Sequence, residues 1–172
     1  MPYLGDKTAY AAAVVLTDDK KTAFKFTNTG PAFNAEFCAL RCQGGIIADG
    51  VFTTAIYTDN AGAPNALVAN STLTMGTPPA GTLVWLAAFY STKPTIAAGA
   101  TYWLCAQVDG ANGGAVGSSA GITNQQAGAI TDILPLSDPY GTPTAYSNTT
   151  ASIFVEATSD TVAAGFNQQI II

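Results

Sequence analysis

Short apolar or alternating runs, each closed by a turn cluster, recur along the whole chain, and that spacing is the strongest constraint on its fold. Phe24, Lys25, Phe26 and Thr27 alternate, then Asn28-Thr29-Gly30-Pro31 turns. Phe33, Ala35, Phe37 and Ala39 alternate with Asn34, Glu36, Cys38 and Leu40, until Gly44-Gly45 breaks the run. Residues 51–58 are rich in β-branched and aromatic side chains and end in Asp59-Asn60-Ala61-Gly62-Ala63-Pro64. Leu67, Ala69, Leu73 and Met75 are expected on one face of the next strand. Tyr102, Leu104, Ala106 and Val108 form one face of another, with Trp103 and Cys105 behind. Ile153, Val155 and Ala157 share a last face, with Phe154 opposite. Residues 109–121, rich in Gly, Ser and Ala without periodicity, read as a long loop. Residues 7–16 suit a helix, a strand or an arm equally. The pattern predicts an all-β chain: a two-sheet antiparallel β-sandwich of jelly-roll type with about eight strands. Residues 1–21 form an N-terminal arm or first strand, 22–160 the sandwich, and 161–172 an apolar tail or last strand.

A chain of 172 residues is long enough for one domain with a core. Its surface is the unusual part. Only 10% of residues are charged, against about 25% in an average domain. Six Lys and Arg face eleven Asp and Glu, for a net charge of −5, which argues against a nucleic-acid partner. Histidine is absent, which removes every imidazole-dependent catalytic or zinc mechanism. No cofactor is expected, and the chain reads as a non-enzyme. Neutral surface costs less to bury than charged surface, and interface centres are depleted in Lys, Glu and Asp, so much of the surface is expected against other subunits. The longest apolar runs, 9–16 and 83–90, have eight residues each, against about 20 for a membrane helix, so no membrane partner is expected. Residues 1–6 lack the basic start of a secretory leader, which implies synthesis without one or its earlier removal.

Cys38 and Cys42 would lie about 13 Å apart on a strand, too far to bridge, and with Cys105 they read as small buried hydrophobes. Asp59, Asn60, Asp109 and Asn112 are loop oxygen donors, able to serve a calcium ion or sugar hydroxyls or simple turn chemistry. Glu36 and Glu156 fall on different strands, and nothing in the sequence joins them as a glycosidase pair. Asn70 and Asn148 match the glycosylation pattern. Trp103, Tyr140 and Tyr146 could stack on sugars or pack internally. The run 83–90 is apolar on both faces, as expected of a strand covered twice, so Val84, Leu86 and Tyr90 are candidate interface residues. Phe166, Ile170, Ile171 and Ile172 join them, because exposing three isoleucines would forfeit about 1.5–3 kcal/mol per side chain. This tail inserts into a neighbour or closes its own sandwich.

Two segments carry a resemblance. Ala55-Ile56-Tyr57-Thr58-Asp59-Asn60-Ala61-Gly62-Ala63-Pro64, followed by Leu67-Val68-Ala69, resembles the "lYsDnxGxPgxLla" strand-turn-strand of β-sandwich domains in phage virion and bacterial surface proteins. Pro94-Thr95-Ile96-Ala97-Ala98-Gly99-Ala100-Thr101-Tyr102-Trp103-Leu104 resembles their "ltaGtxYWla" strand. The likeness spans residues 50–108, with Asn65 where a Gly usually follows the Pro. It implies a jelly-roll module used in virion structure, adhesion or glycan binding. The combined expectation is a structural virion protein on a capsid surface, a bacteriophage capsid decoration, cement or head-fibre subunit. Its partners would be itself and other virion proteins such as a major capsid protein. The alternatives are a carbohydrate-binding or adhesin module of a tail or cell surface, with a glycan partner, and a subunit of an extracellular filament.

Overall fold

The computed structural model describes residues 1–46, 50–121, 123, 125–131, 135–143 and 145–157. Among these the chain is all β. In order the strands are β1 (Tyr3–Gly5), β2 (Ala12–Leu16), β3 (Lys20–Thr27), β4 (Phe33–Asn34), β5 (Phe37–Gly44), β6 (Val51–Asn60), β7 (Ala63–Leu67) and β8 (Leu73–Gly76). Then follow β9 (Val84–Phe89), β10 (Thr95–Ile96), β11 (Thr101–Asp109), β12 (Gly114–Ala120), β13 (Gln126–Thr131), β14 (Tyr146–Ser147), β15 (Thr149–Ala151) and β16 (Ile153–Glu156). Among the described residues sixteen strands stand against the expected eight, because turns and bulges cut the runs into pieces of two to ten residues.

Two large antiparallel sheets form a sandwich. One is ordered β14-β13-β3-β11-β6-β7, with β8 beside β6. The other runs β1-β16-β5-β12-β15, with β9 on β5 and β2 on β12. Register explains which side chains meet. In the first sheet Phe24, Leu104 and Ile56 share a row facing inward, while Ala23, Cys105 and Ala55 share the next row facing outward. In the second, Val155, Cys38 and Ala88 point inward, and Phe154, Ala39 and Ala87 outward. Leu40, Leu86, Phe52, Leu104 and Ile153 fill the space between the sheets. The outward face of the first sheet is roofed by residues 135–143: Leu136 and Tyr140 pack on Tyr57, Trp103 and Cys105. Lys21 is fully buried under this roof, its ammonium 2.8 Å from Ser137 Oγ and 4.4 Å from the Tyr140 ring centre.

Three readings of the sequence need correction. Residues 114–120 are not loop but β12, flanked by β2 on one side and β5 and β15 on the other. Glycine is required there by crowding, since a Cβ on Gly114 would come within 2.6 Å of the Phe52 ring and 2.8 Å of the Gln43 carbonyl oxygen. The alternation from Phe33 slips at Glu36: Phe33, Ala35, Cys38 and Leu40 enter the core, while Phe37 and Ala39 lie on the outer face. Leu67, Ala69, Leu73 and Met75 do not share one face either. A turn with Asn70 at φ 61 separates β7 from β8, so Leu67 joins the roofed face, Met75 the core, and Ala69 is exposed. Residues 1–21 are woven into the sheets as β1, β2 and the start of β3, with Leu4 and Leu16 buried.

Candidate functional site

Among the described residues, no layer covers the apolar outward face of the second sheet. Strands β1, β16, β5 and β9 lie side by side, and their pairing stacks Tyr3, Glu156, Phe37 and Phe89 in one row. The next row is Gly5, Phe154, Ala39 and Ala87, and Arg41 pairs with Trp85 beyond it. The aromatic rings touch across strands: Phe37 lies 5.8 Å from both Phe89 and Phe154, and Trp85 lies 5.6 Å from Phe154. Such tilted and edge contacts favour ring pairs beyond simple burial. Phe37 and Phe154 are buried by their neighbours, whereas Phe89 is 48% and Tyr3 47% exposed. Lys7 bridges one end, with its ammonium 2.6 Å from the buried Glu156 carboxylate and 4.5 Å from the Tyr3 ring centre. Lys93 and Glu36 pair 3.5 Å apart nearby, and the Arg41 guanidinium donates to the Tyr10 carbonyl. The two lysines pair with glutamates, Arg41 is held by a backbone carbonyl, and the centre of the face is aromatic.

The expected interface residues fall on the opposite side of this strand. Leu86 and Tyr90 are buried between the sheets and Val84 packs against the same core. Strand alternation gives the outward positions to Trp85, Ala87 and Phe89 instead. The doubly apolar run signalled apolar side chains on both faces, but not which of its residues look outward. Phe166, Ile170, Ile171 and Ile172 lie outside the described residues.

The oxygen donors separate into two places. Asp59 ends β6, where Ala61 and Gly62 both take positive φ in the tight turn to β7. Its carboxylate accepts from the Gly62 amide at 3.1 Å and from the Trp103 indole at 2.7 Å, so the β6–β7 hairpin and β11 are tied together through it. Asn60 belongs to the same hairpin. Asp109 lies at the far end of the β6–β11 pair, opposite Val51, about 25 Å away at strand spacing. These four residues therefore do not converge on one ligand. Asp109 instead meets Asp18 and Asp19, with carboxylate oxygens within 4.8 Å of one another. Asp18 accepts from the Gly110 amide at 2.8 Å, and Asn112 lines a neighbouring surface hollow. Partial desolvation and the charges of Asp18 and Asp109 hold the Asp19 carboxyl above its ordinary value.

The remaining candidates have structural partners. Glu36 and Glu156 are brought together by the sheet, the Glu36 amide donating to the Glu156 carbonyl at 2.6 Å, yet each carboxylate sits in its own ion pair with lysine. Trp103 and Tyr140 are buried, Tyr140 edge-on to Tyr57 at 5.0 Å. Tyr146 is 38% exposed and tilts against Trp103 at 6.1 Å. Asn70 and Asn148 sit in exposed turns. One residue the sequence did not single out is the buried Asn28. Its side-chain amide donates to Pro31 and Ala97 carbonyls at 3.0 Å each, and its backbone bonds Gly99 and Ala100, clamping the turn into the Tyr102-Trp103 strand.

Cys38, Cys42 and Cys105 are all buried. Burial pushes the Cys38 thiol up to about 12 and Cys42 well above its ordinary value. Since the thiolate is the reactive form, none of the three should react with Ellman's reagent at pH 8 in the folded protein, and all three should react in denaturant. Rapid labelling of the native protein would contradict this packing. No protein-family model matches the chain and no curated protein matches it, so a role must be argued from the sheet face itself.

Proposed function

We propose that the protein is a non-enzymatic structural subunit of a virion, a jelly-roll module serving as a bacteriophage capsid decoration, cement or head-fibre protein. It stabilises an assembly by burying neutral surface between subunits. The observation that carries this reading is the aromatic outer face of β1, β16, β5 and β9, where Tyr3 and Phe89 remain half exposed over a packed layer of Phe37, Phe154 and Trp85. Aromatic anchors surrounded by near-neutral surface are what protein interfaces concentrate at their centres. The low ionic content lowers the desolvation cost of covering the rest. Binding of each subunit would then add stability to the assembly by mass action. The partners are further copies of this chain and a major capsid protein.

Mass photometry of the pure protein at micromolar concentration tests this directly. An oligomer is expected, and Phe89→Lys should weaken it about 30-fold or more, in line with loss of one interface anchor. The variant should keep its melting temperature as a monomer, because Phe89 is outside the intersheet core. A strict monomer that also fails to bind capsids would overturn the reading. A carbohydrate-binding module is the second reading, favoured by the exposure of Tyr146 beside Trp103. Retention on a glycan array that is lost in Tyr146→Ala would establish it in place of the first.

A further inference from the structure

Among the described residues β1 pairs with β16 alone and β2 with β12 alone, so both lie at edges of the second sheet. The stretch between them carries its own turn, the Tyr10 hydroxyl donating to the Asp6 carboxylate at 2.6 Å and the Tyr10 amide to the Thr8 carbonyl at 3.1 Å. Residues 1–16 are held in a socket built from strands much later in the chain. Lys7 meets the buried Glu156 at 2.6 Å, the Asp6 amide donates to the Ile153 carbonyl at 2.8 Å, and the Ser152 hydroxyl donates to the Thr8 carbonyl at 2.6 Å. Leu4 and Leu16 are seated in the intersheet core. Only three residues, 17–19, join this segment to β3, which belongs to the other sheet. That connection is strained twice. Asp19 takes φ 54, a left-handed conformation unfavourable for a residue with a Cβ, and carboxylate oxygens of Asp18, Asp19 and Asp109 crowd within 4.8 Å of one another. The Gly110 amide, donating to Asp18 at 2.8 Å, and the turn bond from the Lys20 amide to the Thr17 carbonyl at 3.2 Å hold it shut.

We propose that residues 1–16 exchange between two copies of this chain, each copy seating its segment on β16 and β12 of the other, with residues 17–19 as the hinge. The inference rests on the assembly reading above and names a second copy as its partner. Straightening the hinge releases Asp19 from its left-handed backbone and draws the Asp18 carboxylate away from Asp109, while every socket contact is remade in trans with the same chemistry. Exchange of an identical element is a low-cost route to a dimer, and short hinges under strain favour it. The socket already complements the incoming segment: the Glu156 carboxylate meets the Lys7 ammonium, the core takes Leu4 and Leu16, and β16 and β12 offer their strand edges. Exchange also completes the aromatic face in trans. Tyr3 stands in one row with Glu156, Phe37 and Phe89, so in the dimer that row holds the partner's Tyr3.

The test uses the whole 172-residue chain. Val15 and Ala115 are cross-strand partners of β2 and β12, at a spacing that a disulfide spans. Val15→Cys and Ala115→Cys are placed together on one chain, which is refolded at high concentration and mildly oxidised, the native thiols being buried. A linked dimer is expected on a non-reducing denaturing gel, with none from either single variant. Bridges formed only within single chains, or no bridge at all, would overturn the proposal. The hinge is tested in both directions. Asp19→Gly accepts the positive φ without strain and should lower the dimer's association constant about tenfold. Asp19→Pro, whose ring fixes φ near about −65°, should raise it. A constant that both changes leave alone, or move in the opposite sense, equally sinks the exchange. If the parent protein is an oligomer while all bridges in the double variant lie within single chains, exchange fails and the assembly reading stands. Linked dimers that neither respond to Phe89→Lys nor bind capsids would leave exchange standing without the assembly reading.

Discussion

Trp103→Ala is expected to cost about 3–5 kcal/mol, the range for emptying a large aromatic from a packed interior. In a chain of this length that is a fall of about 8–15 °C in melting temperature, measurable by calorimetry. Trp103 is fully buried on the roofed side of β11, and its indole nitrogen donates to Asp59 at 2.7 Å. Two effects therefore combine: loss of packing against Tyr57, Cys105 and Leu136, and loss of a hydrogen bond to a carboxylate. Asp59→Ala removes only the second, together with the Gly62 amide contact, and should cost about 1.5–3 kcal/mol. The double variant should cost less than the sum, because the shared bond is counted in both singles. Strict additivity would mean that the Asp59–Trp103 bond contributes nothing.

Gly5→Ala should be the most damaging glycine substitution for its size, at about 2–6 kcal/mol from backbone strain and overpacking together. Gly5 has φ +118, and an added Cβ would stand 2.2 Å from the Ile153 carbonyl oxygen and 2.6 Å from the Phe154 Cα. Both obstacles are backbone of β16 and cannot rotate aside. The expected response is detachment of β1, which also exposes Leu4 and the underside of Tyr3. Gly62→Ala is the control. It has φ +86 but nothing within 4 Å, so it should cost about 1 kcal/mol. Urea midpoints that do not separate the two would refute the close approach of β1 to β16.

What the sequence disclosed follows from where side-chain period and burial agree. The run from Tyr102 to Val108 alternates between two apolar environments, and each residue sits on the side the pattern indicates. The same holds for Ile153, Phe154 and Val155. The pattern was opaque in three situations. Residues 114–120 have side chains too small to display a period, because their neighbours leave room for nothing larger. The slip at Glu36 is a change of phase, which a count of alternating residues passes over. In 83–90 both faces are apolar, so hydrophobicity alone does not rank them; only the pairing of β9 with β5 does. Lys21 is the strongest case, since a lysine in a strand reads as solvent-facing, and its burial depends on a roof that arrives more than a hundred residues later. For the candidate site, the neutral surface was legible from composition, but the particular aromatic residues that form it needed the register of four strands.

The second sheet is completed by the two extremities of the described chain: Tyr3 lies opposite Glu156, and β2 borders β12. During translation, then, β1 must wait for β16 to be made before the two can pair. Until that moment β5 and β9 present their aromatic side as an open two-stranded ribbon, and the emerging polypeptide depends on its few charges and on speed, or on a chaperone, to stay out of aggregates.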